Sequence, residues 1–224
     1  MSRLLASHSN NLDPAGGWPA GPTGLDEAQT ARVGLRVLLA VISSLFMLFL
    51  IAFILRSQVP DWRPLTEPMA PLAQPWALWL NTALLICASI SLQWARVAAR
   101  RGQAKATITA FSLGGGLAIA FLAGQLWVWQ QFVAWGYFVA SNPANSFFYL
   151  LTGLHGLHLL GGLVAWAITL GKLLRGAPLA QLSSKVELCA IYWHYLLGLW
   201  LLLFALLTST PQTYEAIAAF CGLR

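Results

Sequence analysis

Five long, uninterrupted apolar runs constrain this 224-residue chain more than any other feature of its sequence. No run contains Asp, Glu, Lys or Arg, and each approaches or exceeds the ~20 helical residues that cross a hydrocarbon core of about 30 Å. None shows the strict alternation of a membrane-barrel strand. We therefore predict an all-α integral membrane bundle of five transmembrane helices, over residues 37–55, 76–94, 107–129, 147–170 and 189–207.

Composition excludes several other classes of protein. The chain is 58% hydrophobic and only 9% charged, whereas a soluble domain is about 25% charged. Its three cysteines, Cys87, Cys189 and Cys221, form no CxxC pair, so neither a disulfide scaffold nor a thiolate metal site is indicated. No glycine pattern of a nucleotide-binding loop is present.

The basic residues predict the orientation of the spans. Lys and Arg near span ends favour the cytoplasmic side of a membrane, and with five spans their distribution predicts a cytoplasmic N-terminus and an external C-terminus. The Lys and Arg residues lie at the ends of the spans, where they orient the chain in the membrane. The net charge of +6 therefore does not indicate nucleic-acid binding. Ten of the 13 Lys and Arg residues fall on the predicted cytoplasmic side: Arg3, Arg32, Arg36, Arg96, Arg100, Arg101, Lys105, Lys172, Arg175 and Lys185.

Two regions follow from this pattern. Residues 1–31 lack an apolar run and are rich in Gly and Pro, which predicts a flexible cytoplasmic arm. Residues 32–224 form a single membrane domain without internal repeats. The Pro-rich segment from Asp61 to Pro75 is expected to be an extended external loop.

Spans four and five carry the polar side chains that most suggest a site. At helical spacing, Thr152 and His155 share a face with small residues, and His158 lies beside it. In span five, Glu187 and His194 follow the same spacing. Intramembrane ionisable groups are functional candidates. Haem ligation, a proton relay and hydrogen bonding between helices all remain open for them.

Small residues and interfacial groups complete the set of candidates. Glycines allow another helix or a lipid tail to approach closely, and the sequence leaves both occupants open. Asn81 is placed either to cap its helix or to bridge to a neighbouring one, although an interfacial polar residue needs no such role. The glycines expected to pack closely are Gly114, Gly115, Gly116, Gly153, Gly156 and Gly162, and the residues that suit anionic headgroups are Arg96, Arg100, Arg101 and Lys105.

Three segments carry recognisable motifs, and two of them are LTGLHGLH from Leu151 to His158 and YWHY at 192–195. They resemble the T-G-[FL]-H-G-L-H and Y-W-H-F signatures of the haem-copper oxidase subunit III family. LWLNT at 78–82, followed by SLQWAR at 91–96, resembles the second-span pattern of its short, five-span bacterial members. These segments occur in the expected order over roughly residues 32–208.

The resemblance implies a non-catalytic subunit of a respiratory terminal oxidase that reduces oxygen and pumps protons. It implies no catalytic residue, metal or cofactor in this chain, with haem and copper held by partner subunits I and II. It also implies direct packing against subunit I, bound phospholipid, support of proton uptake, and a multi-pass location in the bacterial cytoplasmic membrane.

Two positions depart from the family pattern, and two rival functions stay open. Many members carry a glutamate in the first span where this chain has the pair Ser43 and Ser44, and an aspartate where it has Leu197. A proton-handling role of those acids therefore does not carry over. The rivals are an accessory subunit of a nitric oxide reductase and an independent transporter or b-type haem protein.

Overall fold

The computed structural model describes residues 24–66, 72 and 75–220. Within these residues it contains helices and no strand, which confirms the all-α prediction. Five of the helices are long and apolar enough to cross a membrane, and each predicted span lies inside one of them. The bounds are α1 Gly24–Arg56, α2 Trp76–Arg100, α3 Ala104–Ala134, α4 Pro143–Leu174, α5 Leu179–Leu207 and the short α6 Pro211–Phe220.

Contacts within the chain separate a unit over residues 1–38 from a unit over residues 39–224. The described part of the first unit, residues 24–38, is helical throughout. Helix α1 thus begins at Gly24, before residue 32, where the sequence places the start of the membrane domain. The arm residues 1–23, the loop residues 67–71 and 73–74, and residues 221–224 with Cys221 lie outside the described residues.

Local sequence explains where the helices end. Gly102, Gly136 and Gly176 follow α2, α3 and α4 with φ of 71°, 83° and 78°, a left-handed conformation that glycine adopts without steric cost and that commonly terminates helices. Asn142 begins α4, because its side-chain oxygen accepts a hydrogen bond from the Ala144 N–H at 3.2 Å. Short connections of this kind bring consecutive helices back across the membrane.

Helices α2 to α5 form a closed ring of four. Helix α2 packs against α3 and α5, and α4 packs against the same two helices. The membrane part of α1 within the second unit contacts α4 and α5, through the Phe46 ring against His158 at 5.6 Å and the Ser43 hydroxyl 2.8 Å from the Tyr195 hydroxyl. The ring of four helices is therefore the element that positions the polar residues.

The two ends of the ring differ in chemistry. At one end, named here the basic end, α2 finishes and α3 begins at Arg96, Arg100, Arg101 and Lys105. At the other end, Phe53 of α1 packs edge-on against Trp62, Phe147 and Tyr214. The Tyr214 hydroxyl donates to the Leu206 carbonyl at 2.8 Å, and burial raises the pKa of Tyr214 to about 12.

Candidate functional site

A central layer of four side chains, one from each helix of the ring, holds the middle of the bundle. It consists of Thr82, Phe121, His155 and Trp200. The Trp200 ring centroid lies 4.9 Å from that of Phe121 and 5.2 Å from that of His155. The Trp200 N–H donates to the Thr82 hydroxyl oxygen at 2.9 Å. These contacts tie all four helices together at one depth.

His155 is completely buried in this layer. Among the described residues, neither of its ring nitrogens has a hydrogen-bond partner. Hydrogen bonding between helices was one of three roles that the sequence left open for this histidine, and the structure places its ring among aromatic rings. In this arrangement His155 contributes packing to the layer.

The other polar residues of α4 point to different neighbours. The Thr152 hydroxyl accepts from the Trp129 N–H of α3 at 3.1 Å and donates to the Phe148 carbonyl at 2.6 Å. His158 turns towards α1, with its Nδ1 2.7 Å from the Leu154 carbonyl oxygen of its own helix. The three residues that share a stripe in the sequence are thus distributed among three environments.

Asn81 bridges from α2 to α3. Its amide nitrogen donates to the side-chain oxygen of Gln125 at 3.3 Å, and both residues are buried. Gly124 lies directly beneath the Asn81 carboxamide, which a Cβ at this position would overlap. Gln125 was not among the candidate site residues singled out from the sequence, although its single amide in an apolar run was the signal of a buried partner for Asn81.

The glycines divide according to the helix they face. A Cβ on Gly114 would lie 2.6 Å from Leu92 of α2, and one on Gly162 would lie 2.8 Å from Tyr192 of α5. A Cβ on Gly115 would overlap the Trp166 ring of α4, whose N–H donates to the Phe111 carbonyl at 2.8 Å. The corresponding nearest approaches are 3.2 Å to Trp129 for Gly153 and 3.6 Å to Leu122 for Gly156, while Gly116 has no atom within 4 Å in the described chain.

An ion triad joins α2 to α5 at the basic end. Arg96 and Arg100 each donate to the same carboxylate oxygen of Glu187 at 2.8 Å. The side chains of Arg96 and Glu187 are 23% and 18% exposed, and that of Arg100 is 57% exposed. From the sequence these two arginines were expected to contact headgroups and to set the topology, and their pairing with Glu187 was not predicted. Arg101 and Lys105 are exposed.

A polar seam continues from the ion triad into the membrane along α2 and α5. It consists of Ser89, Gln93 and His194. The His194 Nδ1 is hydrogen-bonded to the Ser89 hydroxyl, and Nε2 lies 3.1 Å from the side-chain oxygen of Gln93. Because that oxygen can only accept, Nε2 donates to Gln93, and the Ser89 hydroxyl is the hydrogen-bond partner of Nδ1. The seam therefore engages both ring nitrogens of His194 with side chains of α2.

The histidines of the described residues do not converge on a common site. Over residues 24–66, 72 and 75–220, His, Cys, Asp and Glu side chains form no group of three or more that is able to hold a metal ion. His155 lies in the central layer and His194 in the polar seam, each in contact with different residues. A haem bound between them would require His194 to leave both of its partners.

A groove of about 150 Å³ opens between α2 and α3 at the end opposite the basic residues. Three tryptophans, Trp76, Trp127 and Trp135, form part of its wall together with Phe132 and Gln131. Trp76 and Trp127 pack edge-on with centroids 5.6 Å apart. The lining is mainly apolar, with Gln131 as a polar side chain. Such a lining suits a hydrocarbon chain better than a charged ligand.

Comparison with known proteins identifies similar sequences over most of the chain. The family model described as cytochrome c oxidase subunit III matches residues 24–209. The cytochrome c oxidase subunit 3 of Synechocystis sp. is 30% identical over 77% of this chain and 72% of its own length. The corresponding protein of Thermostichus vulcanus is 28% identical, covering 78% and 85%. A probable cytochrome c oxidase subunit 3 of Nocardia farcinica is 32% identical, covering 70% and 76%.

Proposed function

The chain belongs to the cytochrome c oxidase subunit III family, and we propose on that premise that it is the accessory, non-catalytic subunit of a respiratory haem-copper oxidase. In this role it packs against subunit I, beside subunit II, and stabilises proton uptake without holding a redox centre. It resides in a bacterial cytoplasmic membrane with its N-terminus on the cytoplasmic side.

The family match over residues 24–209 carries this proposal, because it includes all five membrane helices and the polar contacts between them. The environments of the histidines agree with an accessory role. Both nitrogens of His194 are bonded within the polar seam, and His155 is packed between Phe121 and Trp200. At His194 no ring nitrogen is left to ligate iron or copper, while at His155 the ring is fully buried among aromatic side chains.

Phospholipid is the ligand that the surface chemistry favours. The apolar groove lined by Trp76, Trp127 and Trp135 has the chemistry to hold part of an acyl chain. At the basic end, Glu187 engages Arg96 and Arg100, so Arg101 and Lys105 are the cluster members best placed for an anionic headgroup. The sequence left either a helix or a lipid tail open as the neighbour of Gly114 and Gly115, and both glycines face protein side chains. We therefore propose the groove and the basic end as the locations of bound lipid.

The departures from the family pattern limit the proton-related role. Ser43, one of the two serines where many members have an acid, lies 2.8 Å from the Tyr195 hydroxyl and donates to the Leu39 carbonyl at 2.8 Å. These contacts join α1 to α5. We therefore assign the support of proton uptake to stabilisation of the complex and not to a titrating group at Ser43 or Leu197.

Purification of the native complex tests the proposal. The full chain, carrying an affinity tag and expressed in its own membrane, is solubilised gently, and the haem, metal and polypeptide content of the eluate is measured. We expect co-purification with copper and with haem a or o. Haem b with non-haem iron in the complex would instead identify a nitric oxide reductase, and a lone chain with a Soret band would identify a haem protein.

Removal of the subunit tests its non-catalytic role. We expect the depleted complex to keep its initial rate of oxygen reduction and its haem spectrum, and to lose activity faster than the intact complex during turnover. An immediate loss of haem absorbance on depletion would contradict the proposal.

A further inference from the structure

We propose that the α2–α5 face bearing Gln93, His194 and Gly198 is the docking surface for a transmembrane helix of a companion oxidase subunit. The partner helix presents a hydrogen-bond acceptor opposite Gln93 and packs closely over Gly198. This inference rests on the proposed function, since it requires that the chain be part of a complex.

The first observation is the exposure of polar side chains within membrane helices. Gln93 and His194 both lie on the surface of the described chain. The Gln93 oxygen accepts from His194, while its amide nitrogen makes no hydrogen bond among the described residues. Gln93 lies three residues before Arg96, near the end of the apolar run 76–94, where an exposed amide N–H gains from an acceptor that lipid tails do not supply. A protein partner with an acceptor at this depth satisfies it.

Gly198 provides a second, independent observation. It lies about one helical turn from His194 on α5, is exposed, and has no atom of the described chain within 4 Å of the position that its Cβ would occupy. Packing within this chain therefore does not require a glycine here. A small residue adjacent to a polar one is typical of contacts between transmembrane helices, where backbones approach closely.

The neighbouring surface contrasts with this patch. On α2, Ile90 and Trp94 are 64% and 56% exposed, and such apolar side chains are satisfied by lipid. The patch is also continuous with Arg100 at the basic end, whose side chain is 57% exposed and adds further N–H donors. The donor-rich chemistry of Gln93 and Arg100 favours a helix with acceptor groups over an acyl chain.

The Gly198→Leu variant tests the surface, with Gly116→Leu as its matched control. Both glycines lie in the middle of a membrane helix, both are exposed, and neither has an atom within 4 Å of its Cβ position in the described chain. With the tagged full chain in its native membrane, we expect Gly198→Leu to lower the haem recovered per tagged chain by about tenfold, which a loss of ~1.4 kcal/mol produces. Gly116→Leu should match the unmodified chain.

Site-specific photocrosslinking separates the protein partner from lipid. A photoreactive amino acid placed at position 93 or 198 is expected to crosslink to a haem-containing companion subunit, and one at position 116 is not. If the unmodified chain brings haem and copper but Gly198→Leu does so equally, or if positions 93 and 198 crosslink to lipid alone, the docking surface is wrong and the proposed function stands. If the unmodified chain brings no oxidase subunit, the proposed function fails as well.

Discussion

Arg96 Nη2 lies 2.8 Å from Glu187 Oε1 and joins the end of α2 to the beginning of α5. Arg100 shares the same carboxylate oxygen at 2.8 Å. Two guanidinium groups on one carboxylate offset the cost of placing it at the edge of the hydrocarbon region. The pairing also fixes the position of α5 relative to α2, on which the polar seam depends.

We expect Glu187→Gln to destabilise the bundle because it leaves two guanidinium groups without their carboxylate. The loss in unfolding free energy should fall between the ~1 kcal/mol of an exposed pair and the ~3 to 5 kcal/mol of a fully buried one, since Glu187 is 18% exposed. Thermal unfolding of the purified protein in detergent measures it. Lys172→Gln, at an exposed position near the end of α4, is the control, and equal stability of the two variants would contradict the role of the triad.

The consecutive glycines of α3 give variants with effects of opposite sign. Gly115→Ala should destabilise the bundle by about 1 to 3 kcal/mol because its methyl group displaces the Trp166 ring. Gly116→Ala should be neutral or stabilising by up to ~1 kcal/mol, because alanine is the better helix former and its methyl group meets no atom within 4 Å. Chemical or thermal unfolding of both variants checks the prediction, which fails if they respond alike.

These glycines also show what can be predicted from sequence. Apolar run length predicts the five helices well, because the thickness of the membrane imposes it. The face of a residue within its own helix is predictable too, since successive residues turn by about 100°. Which helix that face meets is not, because the closure of α2 to α5 into a ring depends on tertiary packing. Gly114 thus meets Leu92, Gly115 meets Trp166, and Gly116 faces outwards.

The same limit explains the unforeseen role of the arginines. Glu187 and Arg96 are 91 positions apart in the chain, and their charges alone predict topology but no partner. Once α2 and α5 are adjacent and antiparallel, the spacing of Arg96, Gln93 and Ser89 matches that of Glu187 and His194. Helical periodicity was therefore sufficient to detect each polar stripe, and only the fold could pair them.

Thr82→Val should lower the free energy of unfolding by about 1 to 3 kcal/mol, because it disturbs the central layer. The substitution removes the acceptor of the Trp200 N–H, and a buried donor without a partner costs about this amount. Thr109→Val is the control, because the Thr109 hydroxyl is exposed and donates only to a carbonyl of its own helix. Measurements of the unfolding free energy should distinguish the two variants, and an equal effect would contradict the importance of this hydrogen bond.

His155 leads to a prediction that differs from the usual expectation for a buried histidine. Its ring is fully buried between Phe121 and Trp200, and neither nitrogen has a partner among the described residues. Because no hydrogen bond is lost, an apolar residue of similar volume should be tolerated. We expect His155→Leu to change the unfolding free energy by less than ~1 kcal/mol and to leave the chain in its complex.

Two companion variants test whether packing accounts for His155. His155→Ala should cost about 2 to 5 kcal/mol, because it leaves a cavity between the aromatic rings. His194→Leu should be more harmful than His155→Leu, because it removes the partners of Ser89 and Gln93. The three unfolding free energies, measured under one set of conditions, decide the question. If His155→Leu costs as much as His155→Ala, the imidazole nitrogens contribute a polar interaction, and packing alone does not explain this position.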